Sequence, residues 1–125
     1  MEIKINDKIY PVTFGFQAIH YLDGLHAVEM GGVRFGQGIR TTVISLLDEN
    51  PVALLEALHA GLITEKGKPS DKALEAYIME QGEKGQMDKL FQNLLGLFET
   101  QPLTKSLAKK TTLAMKQAMG QTKQD

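Results

Sequence analysis

Apolar side chains recur at helical spacing through most of this 125-residue sequence, and this periodicity limits the folds that the chain can adopt. The pattern is most regular at Met87, Leu90, Phe91, Leu94, Leu97 and Phe98. Residues three and four apart lie on one face of a helix, so such a run predicts an amphipathic helix that buries its apolar face. Similar runs between residues 14 and 98 predict a helical domain of about five helices.

The N-terminal residues have a different periodicity. Ile3 and Ile5 alternate with charged residues, and a second short apolar segment follows Asn6-Asp7. Alternation is typical of a half-buried strand, and Asn and Asp tolerate the left-handed backbone of a tight turn. The sequence therefore predicts a small antiparallel β-hairpin, and the predicted fold class is mainly α within an α+β architecture.

Glycines and aromatic residues are predicted to set the turns after this hairpin. Phe14, Gly15 and Phe16 indicate the bend from strand to helix, with both phenylalanines on the apolar face of that helix. The segment His26–Arg34 lacks a regular period and is predicted to be irregular. Residues Val33–Phe35 are a candidate for a third short strand.

The stretch VRFGQGIRTT has two interpretations. Gly36 and Gly38 precede an apolar helical run and lie beside arginines, as in a loop that cradles phosphate at a helix N-terminus. A dinucleotide loop, however, carries a third glycine where this chain has Thr41. The mismatch favours a tight entry into a helix, with Phe35 packed inward, although an enzyme that binds nucleotide here stays an open alternative.

Residue patterns typical of catalysis or metal binding are missing from the sequence. His20, His26 and His59 do not have the spacing of a metal site, and cysteine is absent. No apolar run approaches the ~20 residues of a membrane span. We therefore expect no enzymatic activity, cofactor, metal site or membrane segment.

Charge is distributed unevenly along the chain. Residues 1–99 hold 9 Lys and Arg against 14 Asp and Glu, a net −5, whereas residues 100–125 hold 5 Lys against one Asp, a net +4. This asymmetry predicts a globular domain over residues 1–99 and a Lys-rich C-terminal helix or tail over residues 100–125. The tail is predicted to be partly disordered, with a helix that frays after about Gly120.

The candidate partner-binding residues lie in this Lys-rich segment, where a thin apolar stripe runs beside a basic one. They are Leu103, Lys105, Leu107, Lys109 and Lys110. A basic amphipathic segment is typical of a surface that orders on another polypeptide. The alternative is a small nucleic-acid-binding regulatory protein that uses the same segment. The acidic body and the lack of Arg or aromatic residues in the segment count against that alternative, and we expect no nucleic acid partner.

An ordered series of short motifs runs through nearly the whole sequence. It consists of the N-terminal strand pair, Phe14-Gly15-Phe16, Leu22-Asp23, Gly32–Gly38, Asn50-Pro51, Lys68-Pro69-Ser70 and Gln101–Lys105. This order resembles the tail assembly chaperones of long-tailed phages and prophages of Gram-positive bacteria. In that family the glycines belong to the fold and not to a nucleotide site.

The resemblance implies a non-enzymatic protein that binds and solubilises the tape-measure protein and helps to recruit tail-tube subunits. It also implies that the protein acts in the host bacterial cytoplasm and is absent from the mature virion. Many members are also made as a longer product by ribosomal frameshifting, and this chain would then be the short form. Self-association is compatible with a coat of many copies, although no heptad pattern predicts it.

Overall fold

The computed structural model describes the backbone of residues 1–124 and the side chains of residues 1–120, and it contains six helices and two β-hairpins within that range. The elements in chain order are β1 (Glu2–Ile5), β2 (Lys8–Pro11), α1 (Phe16–Leu25), β3 (Ala27–Met30), β4 (Val33–Gly36), α2 (Gly38–Leu47), α3 (Pro51–Gly61), α4 (Asp71–Glu83), α5 (Met87–Thr100) and α6 (Lys105–Gln124). The predicted fold class, mainly helical α+β with an N-terminal hairpin, is confirmed.

The N-terminal hairpin forms around the predicted turn. Strands β1 and β2 pair antiparallel with Ile3 opposite Tyr10, and both side chains are buried. Asn6 and Asp7 have positive φ values of 50° and 65°, the left-handed conformation that a two-residue hairpin turn needs. The hairpin thus lays one apolar face on the helices, because the side chains of a strand alternate between its two faces.

The core lies where α2 and α3 pack against α1 and α5. Phe14, just before α1, stacks on Phe98 of α5 with ring centroids 4.0 Å apart, and both rings are buried. The buried stripe of α5 contains the regularly spaced apolar residues of the sequence, so the predicted helix is present. Phe16, in contrast, is 78% exposed, and its predicted place on the apolar face of α1 is wrong. It is the first residue of α1, with a side chain that points away from the core side occupied by Ala18 and Leu22.

Polar side chains cap two helices at their starts. The Asn50 side chain accepts a hydrogen bond from the Val52 backbone N–H at 3.0 Å, before Pro51 in the first turn of α3. The Ser70 hydroxyl oxygen accepts from the Ala73 backbone N–H at 3.1 Å at the start of α4. Each cap satisfies one of the N–H groups that a helix leaves unpaired at its N-terminus.

The segment after α1 is a second hairpin, so the prediction of an irregular His26–Arg34 is wrong. Strands β3 and β4 pair antiparallel through a turn at Gly31 and Gly32, whose φ values are 58° and 79°. A two-residue turn with positive φ at both positions matches the twist of the flanking strands, and glycine adopts it without steric cost. Val33–Phe35 does form a strand, but in a separate two-stranded sheet. Phe35 is 47% exposed, so its predicted inward packing is also wrong.

The entry into α2 lies against the end of α1. The Gly38 backbone N–H donates a hydrogen bond to Asp23 Oδ1 at 2.8 Å. A Cβ atom on Gly38 would lie 2.5 Å from the carbonyl carbon of Leu22, and one on Gly36 would overlap the Asp23 side chain. Only residues without a Cβ allow this close approach of the two backbones.

Helix α6 packs against α2 and α5. Its contact face consists of Ala108 and Thr111, with Thr104 just before the helix, and all three are buried. The Thr104 hydroxyl donates to the Phe98 carbonyl at 2.6 Å and so fixes the connection from α5. Small side chains therefore seat the basic segment on the rest of the chain. The predicted fraying concerns the end of the chain, where side chains after Gly120 and all of Asp125 lie outside the described residues.

Candidate partner-binding surfaces

Two of the three histidines link neighbouring helices, at separate points. His26 Nε2 lies 2.9 Å from Glu56 Oε1 and links the end of α1 to α3. His59 Nδ1 lies 3.0 Å from Asp71 Oδ1 and links α3 to α4, whereas His20 is exposed. Among the described side chains, no group of three or more His, Asp or Glu residues is arranged to hold a metal ion.

A depression of about 500 Å³ lies between the β1–β2 turn and α4. Its rim carries two ion pairs, Lys4 with Asp7 at 3.9 Å and Lys84 with Glu80 at 2.6 Å. Burial and the charge of Glu80 raise the pKa of Tyr77, which also lines the depression, so its phenol stays protonated at neutral pH. These largely paired charges and a neutral phenol do not form the reactive cluster of an active site.

The second hairpin presents an uncovered apolar face. Val28 pairs with Phe35 and Met30 with Val33, and residues opposite each other or two apart in a hairpin share a face. All four side chains therefore point to one side, and their exposed fractions are 47%, 47%, 66% and 53% in that order. We call these four residues the hairpin face. No charged residue interrupts it, because Glu29 and the residue opposite it point to the other side.

The hairpin is attached to the helical body mainly at its base. The Gln37 backbone N–H donates to the His26 carbonyl at 2.7 Å, and Arg34 Nη2 donates to the Gly24 carbonyl at 3.0 Å. An isolated two-stranded sheet is marginally stable in water. A partner that covered the hairpin face would therefore bury apolar surface and also stabilise the hairpin itself.

A second surface is the groove between α2 and α6. It is an open depression of about 370 Å³, and we call it the α2–α6 groove. It is lined by Arg40, Ile44, Leu107, Lys110, Thr111, Ala114 and Met115. The floor is largely apolar, and the charged groups that line it are both cations. A neighbouring depression of about 250 Å³ shares Arg40 and Leu107 and contains Asp23, whose Oδ1 already accepts the bond from Gly38.

Two of the five residues predicted from the sequence to bind a partner lie in the α2–α6 groove, and three lie outside it. Leu107 and Lys110 lie in the α2–α6 groove. Leu103, Lys105 and Lys109 are exposed but are not among the residues that line it. The residues that α2 contributes to the groove were missed, because a groove between two helices depends on how the helices pack. The hairpin face was missed because its segment was taken for a loop.

A comparison with models of protein families shows which family the chain belongs to. A family model described as phage tail assembly chaperone protein matches residues 2–112. The chain belongs to this family. The resemblance found in the sequence to tail assembly chaperones is thereby confirmed. No curated protein and no solved structure matches the chain significantly.

The matched region of the chaperone includes both hairpins and helices α1 to α5, and it ends inside α6. The hairpin face therefore lies wholly within the part shared with the family, whereas Ala114 and Met115 of the α2–α6 groove lie beyond it. No helix of the chaperone within the described residues is long and apolar enough to cross a membrane. An assembly chaperone acts by binding other polypeptides, so exposed apolar surfaces are the features to examine for function.

Proposed function

We propose that this chaperone binds and solubilises the tape-measure protein and helps to recruit tail-tube subunits during tail assembly. It acts in the cytoplasm of the host bacterium, has no catalytic step and needs no cofactor, and it is absent from the finished virion. Family membership supports a role in tail assembly. The single structural observation that carries the proposal is the hairpin face, an ordered apolar surface that the folded chain leaves uncovered.

The hairpin face suits repeated, weak binding to a long partner. Complete burial of a Val, Phe or Met side chain contributes about 1.5 to 3 kcal/mol, and these four side chains together are already covered over nearly half of their surface. The face can therefore contribute roughly 3 to 6 kcal/mol before the entropic cost of association is subtracted. One copy binds weakly, but many copies along one extended polypeptide bind with high avidity.

The basic side of α6 is the second part of the proposed contact. Leu103, Lys105, Leu107, Lys109 and Lys110 were chosen from the sequence for this role. In the structure the three lysines are exposed, and Leu103 is 42% exposed. Exposed lysines steer acidic segments of a partner and add specificity more than affinity. We therefore assign α6 a supporting part and the hairpin face the larger share of binding.

Co-expression with the tape-measure protein of the same phage tests this proposal. The wild-type chain should increase the soluble fraction of the tape-measure protein, and the two should elute together. Val28→Thr combined with Phe35→Thr should reduce both effects, because it removes apolar contact area yet keeps residues that favour strands. The matched control is Phe16→Ser with Val52→Ser, which removes two exposed apolar side chains from α1 and α3.

Two results would contradict the proposal. A tape-measure protein that stays insoluble beside the wild-type chain would remove the function itself. Equal loss of solubility with the hairpin variant and with the control would remove the role of the hairpin face. A gel shift with duplex DNA that weakens steeply as salt rises would instead favour the nucleic-acid-binding alternative, because bound lysines release counterions from phosphate.

A further inference from the structure

Strand β3 has one edge that no other strand covers in the described part of the chain. The sheet consists of β3 and β4 alone, joined by a two-residue turn. In an antiparallel pair, opposed residues alternate between pairs that share two backbone hydrogen bonds and pairs that share none. The pair beside a two-residue turn, Met30 with Val33, is of the first kind. The backbone N–H and C=O groups of Glu29 and Ala27 therefore point away from β4.

The hydrogen bond at the base of the hairpin fits this alternation. The Gln37 N–H donates to the His26 carbonyl at 2.7 Å, and His26 lies four residues before Met30. Outside the strand pairing, no backbone hydrogen bond among residues 1–124 involves Ala27 or Glu29. Two N–H donors and two carbonyl acceptors are therefore left for a further strand, as on any uncovered sheet edge.

The two edges of the hairpin differ in their surroundings. Strand β4 also packs on α1, where Arg34 Nη2 donates to the Gly24 carbonyl at 3.0 Å and Gly36 lies against Asp23. Strand β3 packs mainly on β4, and all four of its residues are exposed. The open edge of the hairpin is therefore the edge of β3.

The side chains along this edge define what an added strand must carry. Val28 and Met30 point to the hairpin face, whereas Glu29 points to the other side. Within the described residues, no ion pair involves the Glu29 carboxylate. Because the side chains of a strand alternate, the residues opposite Val28 and Met30 would extend the hairpin face, and the residue between them would lie opposite Glu29.

We propose that β3 binds an extended segment of the partner polypeptide by strand addition, and that the segment has an apolar residue, a basic residue and a second apolar residue in succession. Addition of a strand to an open sheet edge is a recurring mode of recognition, in which backbone hydrogen bonds supply affinity and alternate side chains supply specificity. This inference rests on the proposed function for the identity of the partner, and it adds the conformation and residue pattern of the bound segment.

Two other occupants fit the edge less well. A helix laid across the hairpin face would contact its apolar side chains but leave the outward N–H groups of β3 unpaired, since the backbone groups of a helix bond within the helix. A β3 strand from a second copy would bring no cation to Glu29, because Glu29 is its only charged residue. An extended, basic segment of another polypeptide satisfies both the backbone groups and the charge.

NMR-detected hydrogen exchange of the isotope-labelled chain with a short peptide tests the proposal. The probe is the capped peptide Thr-Thr-Ile-Lys-Ile-Thr-Thr, called the basic peptide. It should bind with a Kd of about 1 mM or tighter at about 0.05 M salt. At saturation, exchange of the Ala27 and Glu29 amides should slow at least about fivefold, because they gain hydrogen bonds. The outward amides of Arg34 and Gly36 should change less. A control peptide of the same composition with adjacent isoleucines should bind at least about threefold more weakly, because its side chains do not alternate.

Exchange of charges tests the pattern of the segment. Wild type should bind the basic peptide at least about threefold more tightly than an acidic peptide with Glu in place of Lys, and Glu29→Lys should reverse this preference. Glu29 is exposed, so the variant should keep the far-ultraviolet circular dichroism of wild type. The substitution leaves the backbone edge intact, so it tests the charge contact alone.

A proline on the edge tests the backbone contact. Ala27→Pro removes an N–H that points away from β4 and leaves the hairpin face unchanged. The preceding residue, His26, has φ −127° and ψ 90°, an extended conformation that a following proline accepts. This variant should bind the basic peptide at least about threefold more weakly, because one backbone hydrogen bond is lost. The control Ala27→Thr keeps the N–H and should bind within about twofold of wild type.

Three results would overturn the inference. The first is no slowing of exchange at Ala27 and Glu29 when the basic peptide is present at about 5 mM, several times the expected Kd. The second is equal binding of the basic, acidic and control peptides. The third is unchanged preference for the basic peptide in Glu29→Lys. None of these peptide results depends on the tape-measure protein, so solubilisation of that protein through the hairpin face would still support the proposed function if the strand addition failed.

Discussion

Replacement of Gly38 by alanine should strongly destabilise the fold, because α1 and α2 meet there backbone to backbone. The added Cβ would lie 2.5 Å from the Leu22 carbonyl carbon and 2.6 Å from the Asp23 nitrogen. Ordinary van der Waals contact begins at about 3.5 Å. One helix end must therefore move by about 1 Å, and that displacement would also strain the 2.8 Å hydrogen bond from Gly38 N–H to Asp23 Oδ1.

Two costs set the magnitude of this effect. Overpacking of a well-packed site costs about 1 to 3 kcal/mol, and loss of a hydrogen bond to a charged acceptor costs about 1.5 to 3 kcal/mol. Alanine regains up to about 1 kcal/mol in helix propensity. We expect Gly38→Ala to lower the free energy of unfolding by about 2 to 5 kcal/mol, a large part of the roughly 6 to 19 kcal/mol expected for a chain of this length.

Urea unfolding followed by far-ultraviolet circular dichroism measures this change, with Gly96→Ala as the matched control. Gly96 lies inside α5, and a Cβ there would meet nothing within 4 Å. The control should therefore gain roughly 0.5 to 1 kcal/mol. A Gly38→Ala variant within about 0.5 kcal/mol of wild type, the scatter of ordinary surface substitutions, would refute the close approach. Calorimetric binding of a nucleotide that this variant loses while it stays folded would favour the phosphate-loop interpretation.

Three further predictions concern stability. Thr42→Val should raise the free energy of unfolding by about 1 kcal/mol, because the Thr42 hydroxyl is buried without a hydrogen-bond partner among the described residues; a lower urea midpoint would contradict this. Ser70→Ala should cost about 1 kcal/mol through loss of the cap on α4, and an unchanged midpoint would contradict that role. Burial, with smaller contributions from nearby carboxylates, raises the pKa of both Tyr21 and Tyr77 above 10.0, so stability should be complete below pH 10 and fall as pH rises through the folded-state pKa values. Unfolding of Tyr21→Phe with Tyr77→Phe across that range should show a shallower fall, and an equal fall would contradict it.

The spacing of apolar residues predicted the helices and strands that bury only one of their faces. The apolar stripe of α5 and the turn at Asn6-Asp7 could be read from the sequence because side-chain spacing and turn chemistry fix them locally. The side-chain caps at the starts of α3 and α4, Asn50 and Ser70, are likewise local features. These features depend on residues close together in the chain, so no knowledge of tertiary packing was needed.

Exposure of apolar side chains could not be predicted in the same way. Phe16 and Phe35 were expected to pack inward, because large aromatic side chains usually do, yet both are exposed. Strands β3 and β4 are each four residues long, and their apolar side chains lie on an uncovered face. The rule that apolar side chains are buried therefore did not identify this hairpin. A surface that binds a partner leaves apolar side chains exposed and so does not follow the rule that such side chains are buried. Exceptions of this kind are expected at functional sites.

The candidate groove is also a tertiary feature. Leu107 and Lys110 were chosen from the sequence, but Arg40 and Ile44 come from a helix more than sixty residues earlier in the chain. Their proximity follows from the packing of Ala108 and Thr111 against α2. No local pattern in the sequence records that packing.

Hydrogen–deuterium exchange of the chain, alone and bound to the tape-measure protein of the same phage, tests the central claim most directly. The account predicts that binding slows exchange of the backbone amides of Ala27–Gly36, because a covered hairpin opens less often. The amides around Val52, on an exposed part of α3, should exchange at the same rate in both states. Protection confined to other elements, with the hairpin unchanged in a stable complex, would contradict the account.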